Sequence, residues 1–558
     1  MKPGKGNLSL VRAGFLFNSF MLALLSILVL FIIPLILFVL HLIKRDFPYS
    51  WLISVFGVSS AFLLMFLLVK RLPQTYLIMR WWPITITGDR PLLLVDQYSW
   101  PIALSLILLA LVSVLTAVSR PAQDAWQEWV GILVFTGLGL PAILAGNVIS
   151  FALAWVALDL LEAIILLTRV DRSEATGWII LSFSGKIAGV GCLVFAGIIA
   201  YAGGQPFAFS QTSSHVVLLL LLASILRLGI IPIHAPFYGE IQLRTGLGTI
   251  LRLISLASGL ILIVRIASTA EPLLYASLLF WLFVVLALYG SWQWLVARDE
   301  LDGSPFWIIA VAAFAVISTL TGKPSTTLAW CLAGILSGGL LFYYSTRHRN
   351  LLPLVFLGLF GISGLPFSPV WLSSSIYTIS TPLLTPAGNT LVVSDTILAF
   401  LSRLLLLFSQ VLLMLGYIRH ALRTVEVKPP LERWMWVLYP SVLFMLPLAQ
   451  ILLGWLNRLE WYGLPLESWF SGLVICSLTA IGWFFRKKIL PVIPSKLTVS
   501  MRKVSFKWIN ELFRSFDRYV SVLLGSFTKI MEGEGGILWS LVILALLFTV
   551  LVQLKMGR

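Results

Sequence analysis

Apolar runs of about 20 residues, each long enough to cross ~30 Å of hydrocarbon at about 1.5 Å per residue, recur from Phe17 to Leu551 with short polar breaks. Such runs must lie in lipid or against one another, and nothing between them is long enough to be a soluble domain. Composition agrees: 59% of the 558 residues are hydrophobic and only 11% are charged, a balance that excludes an ordinary soluble globular protein. The net charge of +16 comes from 39 Lys and Arg scattered through the connecting loops, as orienting charge rather than a nucleic-acid-binding face. Cys192, Cys331 and Cys476 are too widely spaced for a disulfide framework or a metal-ligand cluster, and read as packing or lipid-facing residues. Lys2, Lys5 and Arg12 precede the first run as a signal peptide's basic region would, but that run continues to about Ile43 without a small-residue cleavage site and is expected to be a retained helix.

The expected fold is all-α, a polytopic transmembrane bundle of about 14–16 helices. Candidate spans begin near residues 17, 51, 92, 128, 148, 176, 216, 248, 272, 305, 325, 351, 391, 434, 467 and 537. The expected organisation is a bundle over 1–490, a lateral amphipathic helix over 491–535 and a transmembrane anchor over 536–558. Between Val499 and Met531, Lys503, Phe506, Lys507, Trp508, Ile509, Leu512, Phe513, Arg514 and Phe516 place apolar groups at intervals of three and four beside basic ones. Such a helix lies along a membrane surface or packs across the end of a bundle. The Gly533, Glu534, Gly535, Gly536 turn that follows lacks the Lys-Ser/Thr ending of a phosphate loop and reads as a hinge. Loops after odd-numbered spans hold roughly 23 Lys and Arg, against roughly 12 on the side of the termini, so both termini are expected to be non-cytoplasmic.

An ionisable group at mid-membrane depth costs about 2.5–3.5 kcal/mol on insertion scales, so those that persist are candidate functional residues in need of partners. Asp159 and Glu162 share one face of the fifth span by their three-residue spacing. Lys186 lies in the sixth span and Arg227 in the seventh, with Arg252 and Arg403 further on. Pro232 and Pro236 remove backbone donors beside Arg227 and His234, so the seventh span is expected to be broken there, and a broken helix in lipid must be buried or line water. His234 alone has a simpler reading as a histidine bonded to a freed carbonyl. Pairing of Asp159 or Glu162 with Lys186 or Arg227 is expected, the alternative being local satisfaction by carbonyls or snorkelling.

Residues Arg227 to His234, reading Arg-Leu-Gly-Ile-Ile-Pro-Ile-His, resemble the Lys-x-Gly-x-x-Pro-x-His signature on the broken seventh helix of the antiporter-like subunits of respiratory complex I and of Mrp-type cation/proton antiporters. Asp96 to Ser99 is similar to that family's Asp-x-x-Ser entry to the third span, and Ser363, Gly364, Leu365 and Pro366 resemble its Gly-Leu-Pro-Pro break in the twelfth. Arg265 ends the eighth span as the family's arginine does, and the amphipathic stretch with its following helix is similar to the lateral helix and anchor of the longest complex I antiporter-like subunit.

The chain also departs from that pattern. Val156 stands where the family's fifth-span glutamate follows its tryptophan, Ala257 falls near the eighth-span lysine, and Ser374 near the charged residue of the twelfth. Arg227 replaces a lysine with a group that keeps its proton. The resemblance implies a membrane subunit of a complex-I-related assembly that translocates protons or sodium ions, with Asp159, Glu162, Lys186, Arg227 and His234 as ion-translocation candidates and Pro232, Pro236, Gly364 and Pro366 at helix breaks. Alternatives are a non-pumping structural subunit of such an assembly, ion-coupled uptake of a solute such as inorganic carbon, and an unrelated transporter or lipid-modifying enzyme. The sequence offers no redox centre, nucleotide loop or metal-ligand cluster, so no cofactor is expected, and any redox step belongs to another subunit. The expected partners are other membrane subunits and the lipid bilayer, without nucleic acid, in a bacterial or archaeal inner membrane.

Overall fold

The computed structural model describes residues 6–44, 49–78, 90–117, 125–169, 173–203, 213–230, 246–269, 275–320, 322–344, 351–378, 392–423, 433–464 and 466–485, with Ser515, Arg518, Val522 and Gly525. The chain divides into two compact units, Met1–Thr498 and Val499–Arg558. In the second, the four described residues are helical and exposed. The rest of the expected lateral helix and the anchor lie outside the described residues.

The first unit is a polytopic helical bundle. Its helices are α1 (Gly6–Ile43), α2 (Ser50–Leu67), α3 (Ser99–Thr116), α4 (Ala125–Leu144), α5 (Val148–Arg169), α6 (Ser173–Ala202), α7 (Ser214–Arg227) and α8 (Leu247–Ala267). These are followed by α9 (Ala276–Val296), α10 (Ser304–Thr319), α11 (Pro324–Tyr343, with a π-helical turn at Ala333–Ser337), α12 (Leu352–Ile362), α13 (Val392–Ala421), α14 (Met435–Gly454) and α15 (Glu467–Phe484). Among the described residues, 11 helices are long and apolar enough to cross a membrane, and Ser214–Arg227, Ser304–Thr319 and Leu352–Ile362 are shorter apolar helices. The protein is therefore a multi-pass membrane protein. Every residue of α8 is buried. It packs against α3, α4, α7, α10 and α11, which makes it the axis of the bundle. Outer helices such as α2 bury only one stripe, here Ser54, Gly57, Val58, Ala61 and Met65 at helical spacing.

One local structure corrects the sequence reading. The run expected to open the third span near residue 92 begins as an antiparallel hairpin, β1 (Gln74–Leu77) paired with β2 (Leu92–Val95), Gln74 facing Val95. The helix starts only at Ser99, because Asp96 forms a reciprocal cap: its Oδ1 accepts from the Ser99 N–H at 2.8 Å, and the Ser99 hydroxyl accepts from the Asp96 N–H at 3.1 Å. An Asp-x-x-Ser sequence is thus, physically, a helix-start signal.

The seventh helix stops at Arg227, ahead of Pro232. Gly229 adopts φ 66°, the Ile230 N–H bonds to the Ile225 carbonyl at 3.1 Å and the Gly229 N–H to Leu226 at 3.2 Å. This is a left-handed glycine cap, which satisfies the last carbonyls and leaves Arg227 in the final turn. Pro232, His234 and Pro236 lie outside the described residues. Further along, α12 ends at Ile362, Gly364 and Phe367 both take φ 67°, and a 3-10 helix runs from Pro369 to Thr378. Gly364 and Pro366 sit in this interruption.

Candidate ion-translocation site

Helix α5 packs against α4 and α6, and α6 in turn packs against α7, so Asp159 and Glu162 come within reach of charges on α6 and α7. The four charges sort into two pairs. Deep in the bundle, Arg227 Nη1 donates to Asp159 Oδ1 and Oδ2 at 3.0 and 2.9 Å, with both side chains fully shielded. One turn along α5, the Lys186 ammonium donates to Glu162 Oε1 at 2.5 Å, where the side chains keep 7% and 13% exposure. The pairs thus differ in exposure, the inner one fully shielded and the outer one partly open.

The inner pair has further partners. Arg227 Nε donates to the Ser258 hydroxyl at 2.6 Å, and the guanidinium carbon lies 4.4 Å from the centre of the Trp155 ring. Trp155 is itself packed edge-on against Phe151 at 5.8 Å. A buried guanidinium with a carboxylate, a hydroxyl and an aromatic face has most of its charge compensated, which is the condition for keeping an ion pair out of water. Arg227 Nη2 has no hydrogen-bond partner among the described residues.

The outer pair also has a hydroxyl partner. Glu162 Oε2 accepts from the Ser255 hydroxyl at 2.7 Å. A cavity of about 10 Å³, room for about one water, lies beside it, lined by Asp159, Glu162, Ser182 and Lys186 with the apolar Leu166 and Phe183.

Ser255 and Ser258 stand three apart on α8 and link the pairs, since the Ser258 hydroxyl donates to the Ser255 carbonyl at 2.8 Å. A continuous polar path results: Lys186, Glu162, Ser255, Ser258, Arg227, Asp159. Ala257, between the serines, is fully buried. The missing charge on α8 is therefore flanked by hydroxyls that bond the neighbouring charges. Sequence reasoning did not single out either serine, because a serine in an apolar span most often bonds its own helix. Three-residue spacing beside the candidate lysine position was the available signal.

Other named residues lie elsewhere. Arg265, in the last turn of α8, pairs with Asp96 at the start of α3, so the carboxylate that caps one helix also ties down the end of another. Arg252 is buried in α8. Arg403 is 40% exposed and 3.7 Å from Glu467, a peripheral contact. Among the described residues, no group of three or more His, Cys, Asp and Glu is placed to hold a metal ion.

No family model matches the sequence, and no curated protein matches it. Solved structures do. A chain of the membrane-bound sulfane sulfur reductase, an archaeal respiratory membrane complex, superposes with TM-score 0.59 at 15% identity, covering 94% of this chain and 99% of that one. A chain of the Mrp complex from Dietzia sp. superposes with TM-score 0.63 at 14% identity over 95% of this chain, which spans 63% of the Mrp chain's length. A chain of respiratory complex I from Thermus thermophilus gives TM-score 0.53 at 18% identity, covering 76% of this chain and 97% of that one. The chain thus has the fold of membrane subunits found in an Mrp complex, a respiratory sulfane sulfur reductase and complex I.

Proposed function

We propose that this chain is an antiporter-like membrane subunit of a complex-I-related assembly, in which proton or sodium translocation is coupled to the work of partner subunits. The observation that carries this reading is the pairing of Glu162 with Lys186 beside a water-sized cavity, backed by the fully buried Asp159–Arg227 pair. A guanidinium keeps its proton at physiological pH, whereas a lysine ammonium can release one, so Lys186 and Glu162 are the working groups and Arg227 with Asp159 is fixed background charge. Alternation of Lys186 between pairing with Glu162 and separation from it is the step that would move a charge. The chain is read as an inner-membrane protein of a bacterium or archaeon, its termini away from the cytoplasm and other membrane subunits on its flanks.

A second reading is favoured by one specific observation. At the second break, neutral groups satisfy the freed carbonyls: Gln410 Nε2 donates to Ile362 at 2.8 Å and Trp455 Nε1 to Phe367 at 3.0 Å. With Ala257 and Ser374 uncharged, that half suits a structural role, and the whole chain would then be a non-pumping subunit. Ion flux in vesicles holding the whole native assembly separates the two. Loss of flux in Glu162→Gln with assembly intact supports translocation, and unchanged flux assigns the pair a structural role.

A further inference from the structure

Each carboxylate oxygen of Asp159 and Glu162 already has a partner. Arg227 Nη1 donates to both oxygens of Asp159 at 3.0 and 2.9 Å, while on Glu162 the Lys186 ammonium takes Oε1 at 2.5 Å and the Ser255 hydroxyl takes Oε2 at 2.7 Å. Within this cluster two positive charges balance two negative ones. A free cation added to it would leave an uncompensated positive charge in an apolar interior, where such a charge is costly.

A cation that leaves water also needs oxygens to replace its hydration shell. The cavity beside the outer pair is lined by two residues that carry such oxygens, Glu162 and Ser182, and Ser182 stands four residues before Lys186 on the same face of α6. With about 10 Å³, it has room for one water but not for a sodium ion and its ligands beside the lysine. The Lys186 nitrogen, 2.5 Å from Glu162 Oε1, stands where a bound monovalent cation would touch that oxygen.

We propose that the Lys186 ammonium is a tethered occupant of a monovalent-cation position at Glu162, and that this occupancy restricts the pair to protons. Sodium has no free carboxylate oxygen to bind while the ammonium is in place, and Arg227 does not release Asp159 by losing a proton, since a guanidinium keeps it. Lys186→Gln puts an amide oxygen where the ammonium was and leaves the charge of Glu162 without its cation. Glu162, Ser182 and the cavity then make a position that sodium can fill. The choice of ion rests on the reading of Glu162 and Lys186 as the working pair; the cation position does not.

The test is the thermal unfolding midpoint of the full chain in mixed micelles at mildly alkaline pH, in sodium chloride and in choline chloride of equal ionic strength. The unsubstituted chain should unfold at the same temperature in both salts, and Lys186→Gln should gain roughly 1–2 °C in sodium, as expected for a ligand that binds only the folded state. Combining it with Glu162→Gln should abolish that gain. Lys186→Asn serves if Lys186→Gln does not fold. A sodium-specific rise in the unsubstituted chain, or none in the folded variant, overturns the proposal. In vesicles holding the native assembly, proton flux should proceed without uptake of radioactive sodium. Sodium uptake that Glu162→Gln abolishes overturns the choice of ion and leaves the working pair standing, whereas absence of flux of either ion overturns the working pair while the midpoints still decide the cation position.

Discussion

Removal of the Arg227 side chain should expose the energetics of the inner pair. In Arg227→Met, Asp159 loses both bonds from Nη1, at 3.0 and 2.9 Å, while its side chain remains fully shielded. Removing one partner of a buried pair typically costs about 3–5 kcal/mol, because the remaining charge is uncompensated. The lost charged bond to Ser258, about 1.5–3 kcal/mol, and the contact with Trp155, about 2 kcal/mol, overlap with that figure and are not added to it. Asp159→Leu should be as harmful for the mirrored reason. The double variant replaces the pair with apolar groups and should lose less than either single one, giving a coupling energy of roughly 3 kcal/mol or more. Equilibrium unfolding in mixed micelles measures all four corners of this cycle. Additive losses would refute the claim that the two side chains act as a buried pair.

Three further outcomes follow from the same geometry. Ser255→Ala removes the hydroxyl from Glu162 Oε2 and should destabilise by about 1–2 kcal/mol, less than loss of the inner pair because Glu162 keeps Lys186, as the same unfolding assay would show. Gly472→Ala should destabilise by about 1–3 kcal/mol, since its new methyl would collide with the Gly364 carbonyl oxygen; a neutral effect would contradict that close approach. A cysteine at the exposed Ser515 should react with an impermeant thiol reagent from the cytoplasmic side, and labelling only from the external side would reverse the proposed topology.

Much of this architecture was legible in the sequence, for reasons that are physical. Spans are legible because hydrocarbon tolerates little else, and Asp159, Glu162, Lys186 and Arg227 stand out because lipid makes each charge costly. The three-residue spacing of the acids fixed a shared face, but spacing alone did not sort them: Asp159 reaches Arg227 and Glu162 reaches Lys186 because of where the fold places α6 and α7. The hairpin at Leu92–Val95 was hidden, since four apolar residues before a helix read as part of it until the Asp96 cap is recognised. Ser255 and Ser258 were invisible for a different reason, as a hydroxyl's partner depends on tertiary contact and not on pattern. Arg265 and Asp96 were each noticed, yet their bond joins residues far apart in the chain and only the fold brings them together.

The central claim is that Lys186 carries the mobile charge while Arg227 does not. Lys186→Arg tests it most directly, because arginine preserves the pair with Glu162 but does not release its proton. Proton flux, driven by partner turnover in vesicles holding the native assembly, should be lost in Lys186→Arg while the assembly stays intact. Undiminished proton flux in that variant would contradict the account.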